Sequence, residues 1–228
     1  MDQLIKDLAT KARKAGRYLA ASDYSTRVNA VLAIADALVQ RKAEILAANE
    51  RDIAKARESG MVEPLIDRLL LTSERIDGIA NAARKVSRLP DPLQQTLRER
   101  TLENGLHLRQ VSVPFGVIGM IYEARPNVTV DAAVILLMSG NAALLRGSAS
   151  ASESNSILIA IMKDALATTT ISPEVIQQVP SDDRNSVTAL LHARGSIDLV
   201  IPRGSAELIR MVVDEARVPT IETGAGVC

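Results

Sequence analysis

The sequence predicts an α/β fold, with a helical region over residues 1–92, a β-hairpin over 93–114 and a parallel, doubly wound sheet of Rossmann-like βα units over 115–228. Three observations carry this reading. Apolar residues in the first ninety positions recur at helical spacing. An Asn-Gly pair then stands between two short alternating runs. Beyond Pro114, apolar runs of strand length alternate with segments of helix length, which is the pattern of a parallel sheet covered by helices.

In the helical region, Val28, Val31, Leu32, Ala35, Leu38, Val39, Ile45 and Leu46 mark one face, and Asp23 or Ser25 is placed to cap it. Gly16 and Gly60 punctuate the region, and Leu89-Pro90-Asp91-Pro92 closes it. Leu97, Thr101, Leu106, Leu108, Val111 and Val113 flank Glu103-Asn104-Gly105, which predicts the hairpin. Strands are then expected at 117–121, 142–145, 175–179, 197–201 and 218–221. Helices are expected at 128–138, 153–167, 181–192 and 206–216, with Ser181 capping the third. Right-handed crossovers put the loops that follow the strands on one edge of the sheet, where open α/β sheets bind ligands.

Composition narrows the function. The 228 residues suit one large domain or two small ones. Aromatic residues are only 2 % against 47 % hydrophobic, so Ala, Val, Ile and Leu must build the core, as helices on a parallel sheet require. Basic and acidic residues balance at 27 each, which gives no electrostatic reason to bind nucleic acid or an anionic membrane. No apolar stretch reaches the roughly 18–20 residues that span a bilayer, and the mixed-charge N-terminus lacks the apolar core of a secretory signal. A cytoplasmic protein follows. Cys228 is the only cysteine, and His107 and His192 give no metal-ligand spacing, so neither a disulfide within the chain nor a bound metal is expected.

The loops after the predicted strands carry the chemistry. In Tyr122-Glu123-Ala124-Arg125-Pro126-Asn127, the Asn127 side chain serves either as a helix N-cap or as an amide aimed at a developing oxyanion, and the sequence leaves both open. Leu145-Arg146-Gly147-Ser148 places a cation, a glycine and a hydroxyl at a strand end, which suits a phosphate or a plain surface turn. Ile201-Pro202-Arg203-Gly204-Ser205 enters a helix whose first N–H groups favour an anion, and Gly204 lets the backbone approach a ligand. Ile221-Glu222-Thr223-Gly224-Ala225-Gly226 offers a carboxylate beside a tight turn, or a solvated loop residue. Neither GxGxxG nor GxxxxGK[ST] occurs, so generic nucleotide fingerprints miss this chain.

The stretch Pro114-Phe115-Gly116-Val117-Ile118-Gly119-Met120-Ile121-Tyr122-Glu123-Ala124-Arg125-Pro126-Asn127-Val128-Thr129 resembles the signature of the γ-glutamyl phosphate reductases (glutamate-5-semialdehyde dehydrogenases), a branch of the aldehyde dehydrogenase superfamily. General aldehyde dehydrogenases carry Pro-Trp-Asn where this chain has Arg125-Pro126-Asn127. Ser139-Gly140-Asn141-Ala142, Ile201-Pro202-Arg203-Gly204 and Ile221-Glu222-Thr223-Gly224 resemble the same branch, and the resemblance covers essentially the whole chain. It implies an aldehyde-dehydrogenase-like cofactor domain and the NADPH-dependent reduction of γ-glutamyl 5-phosphate to glutamate 5-semialdehyde and phosphate, on the route from glutamate to proline. In that chemistry a cysteine thiolate attacks the acyl phosphate, and the thioester accepts hydride from NADPH. It also implies a small-molecule substrate, a homo-oligomer in which the 93–114 hairpin is part of the oligomerisation element, and a contact with glutamate 5-kinase.

Carried over residue by residue, the resemblance makes Asn127 the amide that steadies the oxyanion and Arg125 a contact for a substrate anion. Arg146 is the expected partner of the NADPH 2′-phosphate, with Gly147 and Ser148 in the same loop. Gly204 and Ser205 match the turn under the pyrophosphate, and Glu222 and Gly224 match the carboxylate segment that closes the cofactor site. Ser148 and Ser205 depart from the family, which often has a second glycine at each place, and a slightly wider cofactor loop follows. Cys228 lies only six residues after Glu222, too near to match the family's nucleophile. The expectation is therefore a chain that stops before the catalytic domain and is inactive alone. Two rival readings are a general NAD(P)-dependent semialdehyde dehydrogenase, against which Arg125-Pro126-Asn127 speaks, and a non-catalytic nucleotide-binding module.

Overall fold

Small residues on one face decide how the first helix packs. In the computed structural model, which describes residues 1–183 and 185–222, α1 (Asp2–Ala20) buries Ile5, Ala9, Ala12, Ala15 and Leu19. Three alanines let its axis come close to the sheet, and a Cβ on Gly16 would lie 3.2 Å from that of Ala142. The rest of the helical region forms α2 (Tyr24–Gln40), α3 (Lys42–Glu58), α4 (Glu63–Leu69) and α5 (Ser73–Val86). Asp23 occupies the N-cap position of α2 in extended conformation, although its side chain makes no capping bond. Thr72 does cap α5, its hydroxyl accepting from the Arg75 N–H at 3.2 Å.

Two buried polar clusters lock these helices to the rest of the chain. Arg27 of α2 is 1 % exposed and grips both carboxylate oxygens of Asp91 at 2.6 Å. Burying a guanidinium is costly without such a partner, so the Leu89-Pro90-Asp91-Pro92 segment is fixed against α2. Asn49 and Asp52 of α3 form the second cluster. The Asn49 amide donates to the Leu69 carbonyl and the Ser154 hydroxyl and accepts from the Leu71 N–H. The Asp52 carboxylate accepts the Glu153 and Ser154 N–H groups and the Ser154 hydroxyl, at 3.2, 2.8 and 2.7 Å.

The predicted hairpin is present as β1 (Thr96–Thr101) paired antiparallel with β2 (His107–Val111), Thr101 opposite His107. Gly105 takes the left-handed conformation of its turn, φ +83°. Every residue of both strands is exposed.

The sheet is parallel, with β3 (Val117–Tyr122), β4 (Ala142–Arg146), β5 (Ile176–Gln178) and β6 (Leu199–Arg203) in the order β5-β4-β3-β6. The connections are α6 (Pro126–Met138), α7 (Ser152–Ala167) and α8 (Asn185–His192), and α9 (Ala206–Glu215) follows β6. The α6 and α7 helices pack with α2, while α1 packs with α8, so helices cover both faces. Strand order turns back at β3: β4 and β5 step away on one side and β6 lies on the other. The crevice beyond the carboxyl ends of β3 and β6 is thus the topological switch point. Among the described residues no helix is long and apolar enough to cross a membrane.

Three expectations are corrected. The third βα helix begins at Asn185, whose N–H is taken by the Asp183 carboxylate at 2.8 Å, so Ser181 does not cap it. A 3-10 turn over Pro173–Val175 shortens the strand expected at 175–179. The segment 218–221 makes a single parallel bridge, Thr220 to Val200, instead of a strand. Val200 exchanges bonds with Pro219 and Ile221, and the next β6 residue on that side, Pro202, has no N–H to continue the ladder.

Candidate functional site

Parallel register brings the predicted loops to one rim. Ile121 sits between Arg146 of β4 and Pro202 of β6, and Tyr122 is paired with Arg203. The residues after these ends, and Glu222 beyond the bridge to β6, therefore share the carboxyl edge of the sheet. They fall into two groups, one on each side of β3.

On the β6 side, a cleft of about 310 Å³ opens at the switch point, lined by Arg68, Glu123, Arg125, Arg203, Gly204 and Ser205 among others. The Ser205 hydroxyl accepts the Leu208 N–H at 3.3 Å, capping α9, and donates to Glu123 Oε1 at 2.6 Å. The loop after β3 is thus tied to the start of α9. A Cβ on Gly204 would lie 2.6 Å from the Glu123 carboxyl carbon and 2.8 Å from a Leu208 methyl, so those side chains would have to shift to admit one. Arg125 is exposed at the N-cap position of α6. Glu222 is exposed. Gly224, expected to bind cofactor, and Cys228 lie outside the described residues.

On the β4 side, Arg146 is half-buried and donates to the Ser186 hydroxyl at 3.3 Å and the Ser181 carbonyl at 3.4 Å. Gly147 is buried, and a Cβ there would collide with the Asn155 amide and approach the Tyr122 ring. Beneath it runs a chain of buried hydrogen bonds, Tyr122 to Thr129 at 2.8 Å and Thr129 to Asn155 at 2.7 Å. Burial pushes the Tyr122 phenol well up, against the opposing pull of the Thr129 bond and the Arg146 charge. Ser148 caps the 3-10 turn that follows, accepting from the Ser150 N–H.

Asn127 is not an N-cap. Pro126 takes the first helical position, so Asn127 lies inside the first turn of α6 and its Nδ2 donates to Asp131 Oδ2 at 3.1 Å. The same nitrogen keeps a second N–H. Asp131 is the sole charge in α6 and is half-buried. Burial raises its carboxyl above the usual range, opposed by the Asn127 bond and by the positive charge of Arg203.

Asn127 and Asp131 open into a further cleft of about 460 Å³ between α4, α5 and α6, which Arg68 and Arg125 also line. An apolar cleft of about 330 Å³, walled by Met120, Val128 and Ile135, meets Asp131 and Arg203 from the other side. The sequence reading missed Arg68, Asp131 and the Glu123–Ser205 link. A lone carboxylate four residues after Asn127 in an apolar helix was a visible signal for Asp131. No local signal pointed to Arg68, which reaches the site only through packing of α4.

The aldehyde dehydrogenase family profile matches residues 2–225. The chain is 51 % identical over 224 residues to a gamma-glutamyl phosphate reductase of Thermobifida fusca, covering 98 % of this chain and 54 % of that protein. It is similar to the crystal structure of the gamma-glutamyl phosphate reductase of Thermotoga maritima, with TM-score 0.95 and 40 % identity, covering 97 % of this chain and 54 % of that one. The Saccharomyces cerevisiae gamma-glutamyl phosphate reductase gives TM-score 0.88 and 31 % identity over 97 % of this chain and 56 % of that one. The chain spans about half the length of these relatives.

Proposed function

Because the chain belongs to the aldehyde dehydrogenase family, we propose that it forms the cofactor-binding portion of an enzyme that reduces γ-glutamyl 5-phosphate to glutamate 5-semialdehyde and phosphate with NADPH. The observation that carries this reading is the cationic cleft at the switch point, where Arg68, Arg125 and Arg203 stand beside the N-terminus of α9. A helix start and guanidinium groups both favour a phosphate. The residues present fit the cofactor: two strand-end loops, carrying Arg146-Gly147-Ser148 and Arg203-Gly204-Ser205, flank β3 at the carboxyl edge of the sheet.

In this reading Gly204 and Ser205 seat the pyrophosphate with the N–H groups of α9, and Arg146 takes the 2′-phosphate from the other side of β3. Gly147 and Ser148 shape that second loop, and Glu222 with Gly224 closes the β6 side. Bound NADPH supplies the hydride. Asn127 presents its second N–H to the carbonyl oxygen as negative charge gathers there, with Asp131 fixing the rotation of the amide. Arg125, exposed at the start of α6, holds an anionic group of the substrate. The hairpin of β1 and β2 contributes to contacts between copies, and the setting is cytoplasmic.

Titration of the purified chain with NADPH and NADH, followed by nicotinamide fluorescence, tests the proposal. Saturable binding is expected, with NADPH favoured by roughly tenfold or more, the scale of one charge-assisted contact. Arg146→Gln should abolish that preference and leave NADH binding in place. Absence of saturable NADPH binding would overturn the reading.

A further inference from the structure

The cleft between α4, α5 and α6 shares Arg68 and Arg125 with the cleft at the switch point and adds a carboxylate, Asp131, for which cofactor binding has no use. Its floor is apolar, with Leu70, Leu71, Ile79 and Ala82. On its walls stand one carboxylate, Asp131, and the guanidinium groups of Arg68 and Arg125. The remaining charged pair, Asp67 and Arg75, is closed on itself. Arg75 meets the Asp67 carboxylate at 2.7 Å and donates to the Asp67 and Leu70 carbonyls. Among the described residues neither Arg68 nor Arg125 takes part in an ion pair.

That set selects by sign. A plain carboxylate or phosphate would bring negative charge against half-buried Asp131, and a plain amine would leave both guanidinium groups unanswered. A ligand with an ammonium and a carboxylate on one carbon answers both. We propose that this cleft seats the head of an α-amino acid, with Asp131 accepting the ammonium N–H groups and Arg68 and Arg125 taking the α-carboxylate. The proposal rests on the function proposed above, in which the acyl carbon faces Asn127. Asn127 lines the same cleft and is hydrogen-bonded to Asp131. The group that steadies the reacting carbonyl and the group that grips the far end of the substrate are therefore neighbours on one helix. In a γ-glutamyl compound these two ends are three bonds apart, so one cleft can serve both. Burial raises the Asp131 carboxyl, and the charge of Arg203, which reaches it from the adjoining cleft, works against that rise.

The test uses the ¹⁵N-labelled chain and three probes: L-glutamate, glutarate, which lacks the ammonium, and 4-aminobutyrate, which lacks the α-carboxylate. L-glutamate is expected to shift the Asn127 and Asp131 amide signals saturably, with glutarate and 4-aminobutyrate each weaker by about tenfold or more. Asp131→Asn should reduce L-glutamate to the level of glutarate. Arg68→Gln, an exposed change on α4, should reduce it to that of 4-aminobutyrate, and the same spectra report whether each variant is folded. The proposal is overturned if L-glutamate does not saturate, if glutarate binds as well as L-glutamate, or if folded Asp131→Asn keeps the discrimination. NADPH titration of the same sample separates the two ideas. Intact NADPH binding without amino-acid selection sinks only the amino-acid site, and selection without NADPH binding sinks only the cofactor assignment.

Discussion

At the scale of single residues, Asp131 shows how a half-buried charge in an apolar helix works against stability. Its carboxyl is held above the usual range by burial in an otherwise apolar helix. A folded-state pKa above the unfolded one means that the native state binds the proton more tightly. The group therefore favours folding at pH below the ordinary carboxylate value, and that advantage is lost as pH rises through the folded value. Asp131→Asn should raise the urea midpoint at pH 7 and leave it nearly unchanged at pH 3, measured by circular dichroism on the two proteins in parallel. A lower midpoint for the variant at pH 7 would show that Asp131 is a net structural asset. Asp131 was legible in the sequence as an isolated charge, and Asn127 as a loop amide. Only the capping role left open for Asn127 is excluded, and that required coordinates, because Pro126 shifts the helix start by one residue.

At the scale of elements, the joint between α3 and α7 is made by one carboxylate. Asp52 is 1 % exposed and accepts from two backbone N–H groups and a hydroxyl at the start of α7. It caps a helix that begins about a hundred residues later in the chain. Asp52→Ala would leave those donors buried without partners, and a loss of about 3 kcal/mol is expected in urea unfolding. A loss below about 1 kcal/mol would mean that water takes over the cap. The parallel strands were readable because buried strands are continuous apolar runs, and the hairpin because Asn104-Gly105 suits only a tight turn. The long-range cap was not readable, since nothing near Asp52 separates it from the other acids of α3. The short bridge at Thr220 was misread as a strand for a related reason: the obstacle, Pro202, lies on the neighbouring strand.

At the scale of the whole molecule, the hairpin stands apart from the core. Leu97 and Leu108 are exposed, at 59 % and 37 %, and neither joins the buried cluster. Replacing both by serine should change the folding free energy of the chain by no more than about 0.5 kcal/mol, as urea unfolding will report. A larger loss would show that the hairpin braces the sheet. That strand-end loops share one rim was legible from the alternation of elements alone, because parallel crossovers force it. The walls that α4 and α5 add to that rim were not, because they depend on how the helical region folds over α6. The helical region also sets the order of assembly. Arg13 of α1 donates to the Ser196 carbonyl and meets Asp198 at 3.0 Å, across more than 180 positions of chain. During synthesis the first helix leaves the ribosome long before its anchor has been made. Its alanine-lined face has nothing to lie against until β4 follows, and Arg13 finds its partner only when Asp198 arrives, so the native arrangement closes late and the newborn chain depends on whatever shelters that face in the interval.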